Sequence, residues 1–572
     1  MTVREQLTGA QILCRVLLEE GVEVLWGYPG GAIMPFYHAL PDHPGLRHIL
    51  VRHEQAAAHA ADGYARASGR LGVCVATSGP GATNLVTGLA TAHMDSSPVL
   101  AITGQVPRAM IGRDAFQETD VIGLTLPITK HNHLVRDVAE LADRVRDGIA
   151  IAREGRPGPV LIDVPKDVQN QKTDYEPSRA GVPPWGTTSH PPGGMRPAPL
   201  DPRSIEQAAR LIAAAERPLL MIGHGVILAT AYEEVRHLAE RTGIPVITTL
   251  LGISGLPASH PLHLGMPGMH GEVHVNRAIQ HADLIVGIGL RFDDRVTGNT
   301  AGFAPRAKII HVDLDASEIG KNVPTTLGIV GDVKAVVIAL LGAVAARRRD
   351  AWRAEIRGFA RARNERYRGD LSPECIVAAL HDVNGDRSTI VTDVGQHQMW
   401  VAKHYPYRRP NTHITSGGLG TMGFAVPAAM GVALARPDEC VWAISGDGGF
   451  QMNLQEIATM VQEKISVKMG IFNNGYLGMV RQWQQFFHGR RYSATPIWSP
   501  DYVKLAEAYG IAGWRVENAQ QLRDVVARAS ASPGPALIEF VMEQEANVFP
   551  MIPPGASLSE SIEAEPIGAA RP

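Results

Sequence analysis

Gly446-Asp447-Gly448 is followed by 24 residues and then by Asn473-Asn474. The glycine turn comes after the apolar run Val441–Ile444, and the asparagines come after the next one, Val467–Phe472. Open α/β sheets place ligands at the carboxyl ends of such neighbouring strands. Glycines let backbone N–H groups approach phosphate oxygens. A helix expected to begin near Asn453 would add the favourable field of its N-terminus. Asp447 and Asn474 supply oxygen ligands. A hard cation such as Mg²⁺ takes oxygens at about 2.0–2.1 Å and shares itself with phosphate. The spacing therefore points to a metal-bridged diphosphate.

A second cluster is Arg52-His53-Glu54-Gln55-Ala56-Ala57-Ala58-His59, after the strand-like His48–Val51. A zinc-protease helix needs its histidines four apart, and His53 and His59 are six apart. Glu54 instead heads an alanine-rich helix through Ala67. Burial among small apolar groups disfavours a carboxylate ion unless charge or hydrogen bonds oppose it, so such a group can share a proton with a ring nitrogen. Read alone, such a residue is more often a helix N-terminal charge or a salt-bridge partner.

A third cluster lies mid-chain. Gly223-His224-Gly225 follows Leu219–Ile222, Gly289–Arg295 follows Leu284–Ile288, and Asp313 ends Ile309–Val312. Glycine close to phosphate and an acid for a ribose hydroxyl fit a dinucleotide site, although no G-x-G-x-x-G is present. A bare structural fold fits these residues as well.

The elements that must carry these clusters alternate. Val73–Thr77, Val99–Thr103 and Val160–Val164 precede the middle runs, and Thr389–Thr392 joins the two already named in the last part of the chain. Strand–helix alternation implies parallel sheets covered by helices on both faces. The expected fold class is α/β with three doubly wound domains, 1–172, 196–346 and 370–548, and a tail at 549–572. The Pro- and Gly-rich Asn170–Ser204 and the Arg-dominated Arg347–Leu371 are expected to be linkers. The first and third blocks look like copies. Gly79-Pro80-Gly81 stands where Gly446-Asp447-Gly448 stands, and Pro157–Asp163 matches Pro533–Glu539. Only the later copy has a carboxylate in the turn.

The 572 residues carry a net charge of −3, with 45% hydrophobic and 19% charged residues. That balance argues against a phosphate-backbone binder, so no nucleic-acid partner is expected. The apolar run Ala335–Ala346 is too short to span a bilayer and reads as the end of a packed helix. Four scattered cysteines, without a C-x-x-C, suit a reducing compartment. With no signal-like N-terminal segment, a cytoplasmic location is expected.

The Gly-Asp-Gly…Asn-Asn pattern resembles the diphosphate motif of thiamine-dependent enzymes. From Gly9 to about Ser559 the chain resembles the catalytic subunit of acetolactate synthase. The motifs that carry the likeness include Gly27-Tyr28-Pro29-Gly30-Gly31, Arg52-His53-Glu54-Gln55, Thr77–Asn84, Asp114–Glu118, Gly395–Trp400, Thr415–Gly423 and Leu477–Val480. The run Arg291–Gly298 looks like the FAD-containing branch.

The resemblance implies three cofactors: thiamine diphosphate, Mg²⁺ and FAD. It implies that Glu54 hydrogen-bonds the aminopyrimidine ring and that Met422 props the cofactor into a bent shape. Asp447, Asn474 and the backbone oxygen of Tyr476 would hold Mg²⁺. Gly395, Gln396, His397 and Gly448 would contact the diphosphate, with Pro29, Gly30, Gly420, Gly446, Gly449 and Met479 completing that site. Gln105, Lys166 and Trp483 would border the substrate. FAD would lie against Arg156, Gly223, Gly225, Thr249, Leu250, Met269, His270, Asp294, Arg295 and Asp313. Met479 and Trp483, at helical spacing, are also readable as core, Lys166 as a solvated turn residue and Gln105 as a strand cap.

The implied reaction decarboxylates pyruvate and joins the remaining two-carbon unit to a second pyruvate or to 2-ketobutyrate, at the head of valine, leucine and isoleucine synthesis. A pyruvate oxidase and a non-catalytic nucleotide-binding protein are the competing readings. The family also implies a homodimer or tetramer with shared active sites, and a small regulatory subunit as a possible partner.

Overall fold

A computed structural model describes residues 5–177, 199–360 and 371–564. Its main strands form three six-stranded sheets, parallel throughout. The first runs, in spatial order, Arg47–Leu50, Val24–Gly27, Gly72–Ala76, Val99–Gln105, Val160–Pro165, His131–Leu134. The third runs His413–Thr415, Ser388–Thr392, Cys440–Gly446, Val467–Asn473, Ala536–Val541, Ala512–Val516. Numbered by chain order within each domain, both read 2-1-3-4-6-5. The two anchors of the internal match fall on equivalent strands, the third and the sixth of each sheet. The middle sheet reads 3-2-1-4-5-6, the strand order of dinucleotide-binding folds.

Each apolar run expected as a strand is a strand. Their continuous burial, five of five residues in Gly72–Ala76, Pro218–Ile222, Leu284–Ile288 and Ser388–Thr392, explains why they read as unbroken runs. The two outer domains meet through the alanine-rich helix Glu54–Ser68 and the helix Ala425–Ala435. A Cβ on Gly63 would lie 2.1 Å from the Ala428 carbonyl oxygen, and one on Gly431 would lie 2.0 Å from that of Ala60. Glycine at both positions allows the backbones to touch.

The expected linkers are shorter than the sequence suggests. Lys172–Tyr175 pairs antiparallel with Glu5–Thr8, so the first domain continues past Asn170. Residues 178–198 lie outside the described residues. In the second linker, Asp350–Phe359 is a helix that buries Trp352 and Ile356 against the middle domain. Arg349 is itself buried, donating to the carbonyls of Ile212 and Thr242. Here arginine satisfies orphan carbonyls rather than facing water. Residues 361–370 are outside the described set. The expected tail also packs: Met551, Ile552 and Leu558 are buried in the middle-domain core, and Ile552 N–H donates to the Met269 carbonyl at 2.9 Å. No helix among the described residues is long and apolar enough to cross a membrane; Val333–Ala343 is a packed helix.

Candidate active site

In the third sheet the strand order reverses between Ser388–Thr392 and Cys440–Gly446, which opens a crevice above their carboxyl ends. The helix there begins at Asp447, directly after Gly446, and not near Asn453 as the sequence suggested. Asp447 is buried, 1% exposed. Its carboxylate accepts N–H groups of Gly448 at 3.0 Å and Gly475 at 2.8 Å. Burial pushes its pKa up to about 6, against the pull of those donors. Asn474 donates to Gln396 Oε1 at 3.2 Å and accepts the Tyr476 N–H at 3.1 Å. Asp447, Asn474 and Tyr476 thus share one turn system.

His397 forms the other wall. Its imidazole carbons and Nδ1 pack against Gly395 and Gly446, where a Cβ would come within 3.0 to 3.2 Å. Burial holds the ring neutral, pushed down to about 3, and its Nε2 has no partner. A buried N–H or lone pair without a partner is costly, and an anion or its bound cation shell would supply one. Gly448 faces Leu477 and Met422, and Gly449 rests on Asp393. One carboxylate, one amide and one backbone carbonyl beside a glycine cradle fit a Mg²⁺-diphosphate. Among the described residues, no three His, Cys, Asp or Glu gather to hold a metal. The fit therefore rests on mixed oxygen donors.

The first sheet reverses between Val24–Gly27 and Gly72–Ala76. Pro29 and Gly30 follow one strand, and Gly79-Pro80-Gly81 follows the other. A Cβ on Gly30 would meet Thr77 at 2.5 Å, and one on Gly81 would lie 3.2 Å from Glu54 Oε1. Glu54 opens its helix, 9% exposed, and Oε2 accepts from Asn84 Nδ2 at 2.9 Å. The carboxyl thus stands over a small-residue crevice with one oxygen near the Gly81 turn.

A cavity of about 2340 Å³ lies among the three domains. The third domain contributes Gly395, Gly420, Met422, Met479 and Trp483. The middle domain contributes Gly225, Thr249, Leu250, Met269 and His270, with Asp294, Arg295 and Asp313 farther along. Arg156 enters from the first domain, donating to Ser96 Oγ at 2.8 Å and to Glu318 at 2.8 Å. Gly223 lies just behind the lining, its Cα hydrogen facing the Gly289 carbonyl, where a Cβ would come within 2.4 Å. His270 Nδ1 is buried without a partner. The volume and the sheet order fit an extended dinucleotide.

Pro29, Gly30 and Glu54 are not on this lining. One chain therefore brings Met422, Met479 and Trp483 to the candidate flavin residues and leaves Glu54 elsewhere. Gln105 ends the strand Val99–Gln105, and its amide is occupied. It donates to Asp163 and to the Thr119 carbonyl, both at 3.0 Å. Lys166, half-buried, opens the short helix Lys166–Asn170 away from the cavity.

Sequence reading missed Asn84, Glu456 and Asp393. Asp393 carries the signal that identified Asp447, an acid and a nearby glycine at the end of an apolar strand. Glu456 carried no local signal. It is 0% exposed and accepts the Arg52 N–H at 2.9 Å, a contact across domains.

Three family models cover the chain: the thiamine pyrophosphate enzyme N-terminal TPP binding domain at residues 7–124, the central domain at 205–340 and the C-terminal TPP binding domain at 393–540. The fold and its two glycine crevices are thus those of a thiamine pyrophosphate enzyme. An acetolactate synthase large subunit of Mycobacterium tuberculosis is 49% identical over 97% of this chain and 91% of its own. Acetolactate synthase large subunits of Corynebacterium glutamicum (97% and 90% covered) and Parasynechococcus marenigrum (98% and 91%) are each 45% identical. The chain belongs to the acetolactate synthase large-subunit family.

Proposed function

We propose that this chain is a catalytic subunit that decarboxylates pyruvate and ligates the two-carbon remainder to a second pyruvate or to 2-ketobutyrate. The observation that carries the proposal is the pairing of two crevices, one with Glu54 over small residues and one with Asp447, Asn474 and an unpartnered His397 nitrogen. Thiamine diphosphate, when bound, supplies a weakly acidic carbon for addition to a keto group and a cationic ring to accept the electrons left when carbon dioxide departs.

The chain's own residues do the rest. Asp447, Asn474 and the Tyr476 carbonyl would hold Mg²⁺, and Gly395, Gln396, His397, Gly446, Gly448 and Gly449 would receive the diphosphate. Glu54 shares a proton with the pyrimidine nitrogen. Met422 would support the cofactor from the third domain, with Gly420 and Met479 beside it and Pro29 and Gly30 at the first-domain crevice. Trp483 borders the acceptor keto acid and keeps water out, so that carbon rather than a proton is added. Lys166 and Gln105 border the substrate from the first domain. FAD would occupy the large cavity. The site lies in the cytoplasm.

Because Glu54 and Met422 do not share a cavity, each cofactor bridges two chains, in a homodimer or a homotetramer. Supplying pyruvate, thiamine diphosphate and Mg²⁺ tests the reading by its product. Acetolactate is expected. Acetate with flavin bleaching, or acetaldehyde alone, would overturn it.

A further inference from the structure

Asp393 follows the strand Ser388–Thr392 and is 0% exposed. Its Oδ1 accepts the N–H of Val394 at 2.8 Å and of Gly423 at 2.9 Å. Its Oδ2 accepts the same Gly423 N–H at 3.0 Å and that of Ala425 at 3.3 Å. All these donors are backbone groups, and both oxygens are engaged. Burial pushes the carboxyl up to about 6, and the N–H groups pull it back toward the ion.

Gly423 is held from the other side as well. Asn453 Nδ2 donates to its carbonyl at 2.7 Å. Its φ is +88°, and a Cβ there would strike the Met452 Cβ at 2.9 Å. The residue after Met422 is therefore pinned between the loop that begins at Asp393 and the helix Asp447–Asn453. Gly449, in the first turn of that helix, also lies on Asp393, where a Cβ would come 2.6 Å from Oδ1.

We infer that Asp393 is a positioning residue: one buried carboxylate fixes Met422, the His397 turn and the Asp447 helix against one another, so that the cofactor's bend is set before the cofactor arrives. The inference rests on the proposed thiamine site. Its structural competitor is a simple cap, because the same carboxylate sits at the N-terminus of the helix Ala425–Ala435.

Full-length Asp393→Asn separates the two, because its amide sets a donor against backbone donors. Three quantities are measured: the melting temperature without cofactor, thiamine diphosphate affinity with Mg²⁺ by protein fluorescence, and exchange of the cofactor C2 proton at saturation by quenched NMR. Groups that orient ligand-holding residues typically change affinity or activity by about 10–100-fold. A weakening of that size is expected, with exchange slowed roughly tenfold or more even when the site is full. Unchanged affinity and exchange with a lowered melting temperature would make Asp393 a cap only and overturn the inference. If the variant does not fold, amide exchange in the unmodified protein asks the same question. The Gly420–Ala425 segment is expected to be protected already without cofactor, and free exchange there until cofactor binds would overturn the clamp. Failure of the unmodified protein to bind thiamine diphosphate would instead overturn the proposed function.

Discussion

The Asp447 carboxylate accepts the backbone N–H of Gly475 at 2.8 Å, which latches the turns at the ends of two adjacent strands to each other. Removing the acid removes this latch, but Gly475 N–H can still donate to Asn473 Oδ1 at 3.2 Å, so the larger effect is expected on the cofactor. Asp447→Ala is expected to keep a cooperative melt and to lose thiamine diphosphate affinity by about tenfold or more, the usual cost of a charge-assisted contact. Fluorescence titration with and without Mg²⁺ measures it. Wild-type affinity would reduce the Gly446-Asp447-Gly448 turn to a structural role.

Glu54→Gln keeps the size of the side chain and can still accept from Asn84. It cannot share a proton with a ring nitrogen as an acid does. C2-proton exchange and turnover should fall by roughly two or more orders of magnitude, the range of general acid–base contributions, with cofactor affinity retained. Exchange measured by NMR at the wild-type rate would remove Glu54 from cofactor activation.

The two variants also test assembly. Mixed dimers of inactive Glu54→Gln and inactive Asp447→Ala chains should place both defects in one site and neither in the other. Activity should recover to at most about half per mixed dimer, by two-fold symmetry. Mixed dimers purified with two tags and still inactive would place both residues of each site on one chain.

Glu456 predicts a pH effect. Burial raises its pKa to about 7 from an ordinary 4.5, against hydrogen bonds from Thr459 and the Arg52 and His53 backbone. Between those values the unfolded chain gives up the proton and the folded chain keeps it, so stability falls as pH rises from about 4.5 to 7 and the penalty stays above that. Glu456→Gln removes this component. The loss of stability from pH 5 to pH 8, followed by urea denaturation, should be smaller by on the order of 2 kcal/mol. An unchanged slope would show that Glu456 does not titrate in this window.

Much of this was legible in the sequence because it is local. Apolar runs gave the strands, and Gly446-Asp447-Gly448 gave the crevice beyond them. The repeat between Gly79 and Gly446 anticipated two sheets of identical strand order. What escaped depended on distant partners. Arg349 reads as solvated until the Ile212 and Thr242 carbonyls are seen beneath it. Met551 and Ile552 read as a tail until their pocket in the middle domain is known. Glu456 carries no local mark in sequence, and only folding brings the Arg52 turn to it. The Asp447 helix was set too late because a glycine turn is a poor helix signal, while burial and the Asp447 bonds decide its start.

Gly63→Ala and Gly431→Ala test the join between the outer domains, since the added carbon would meet a carbonyl at 2.1 or 2.0 Å. Each should lower stability by about 1–3 kcal/mol, the cost of overpacking, by urea denaturation. Values near zero would mean the helices separate without cost.

Because each of these glycines lies under the other's helix, the two outer sheets share one close-packed crossing. Close-packed interiors pass displacement on rather than absorbing it. A shift of either helix would therefore meet the other's backbone directly, so under the proposed assembly the two crevices of one chain would be mechanically linked.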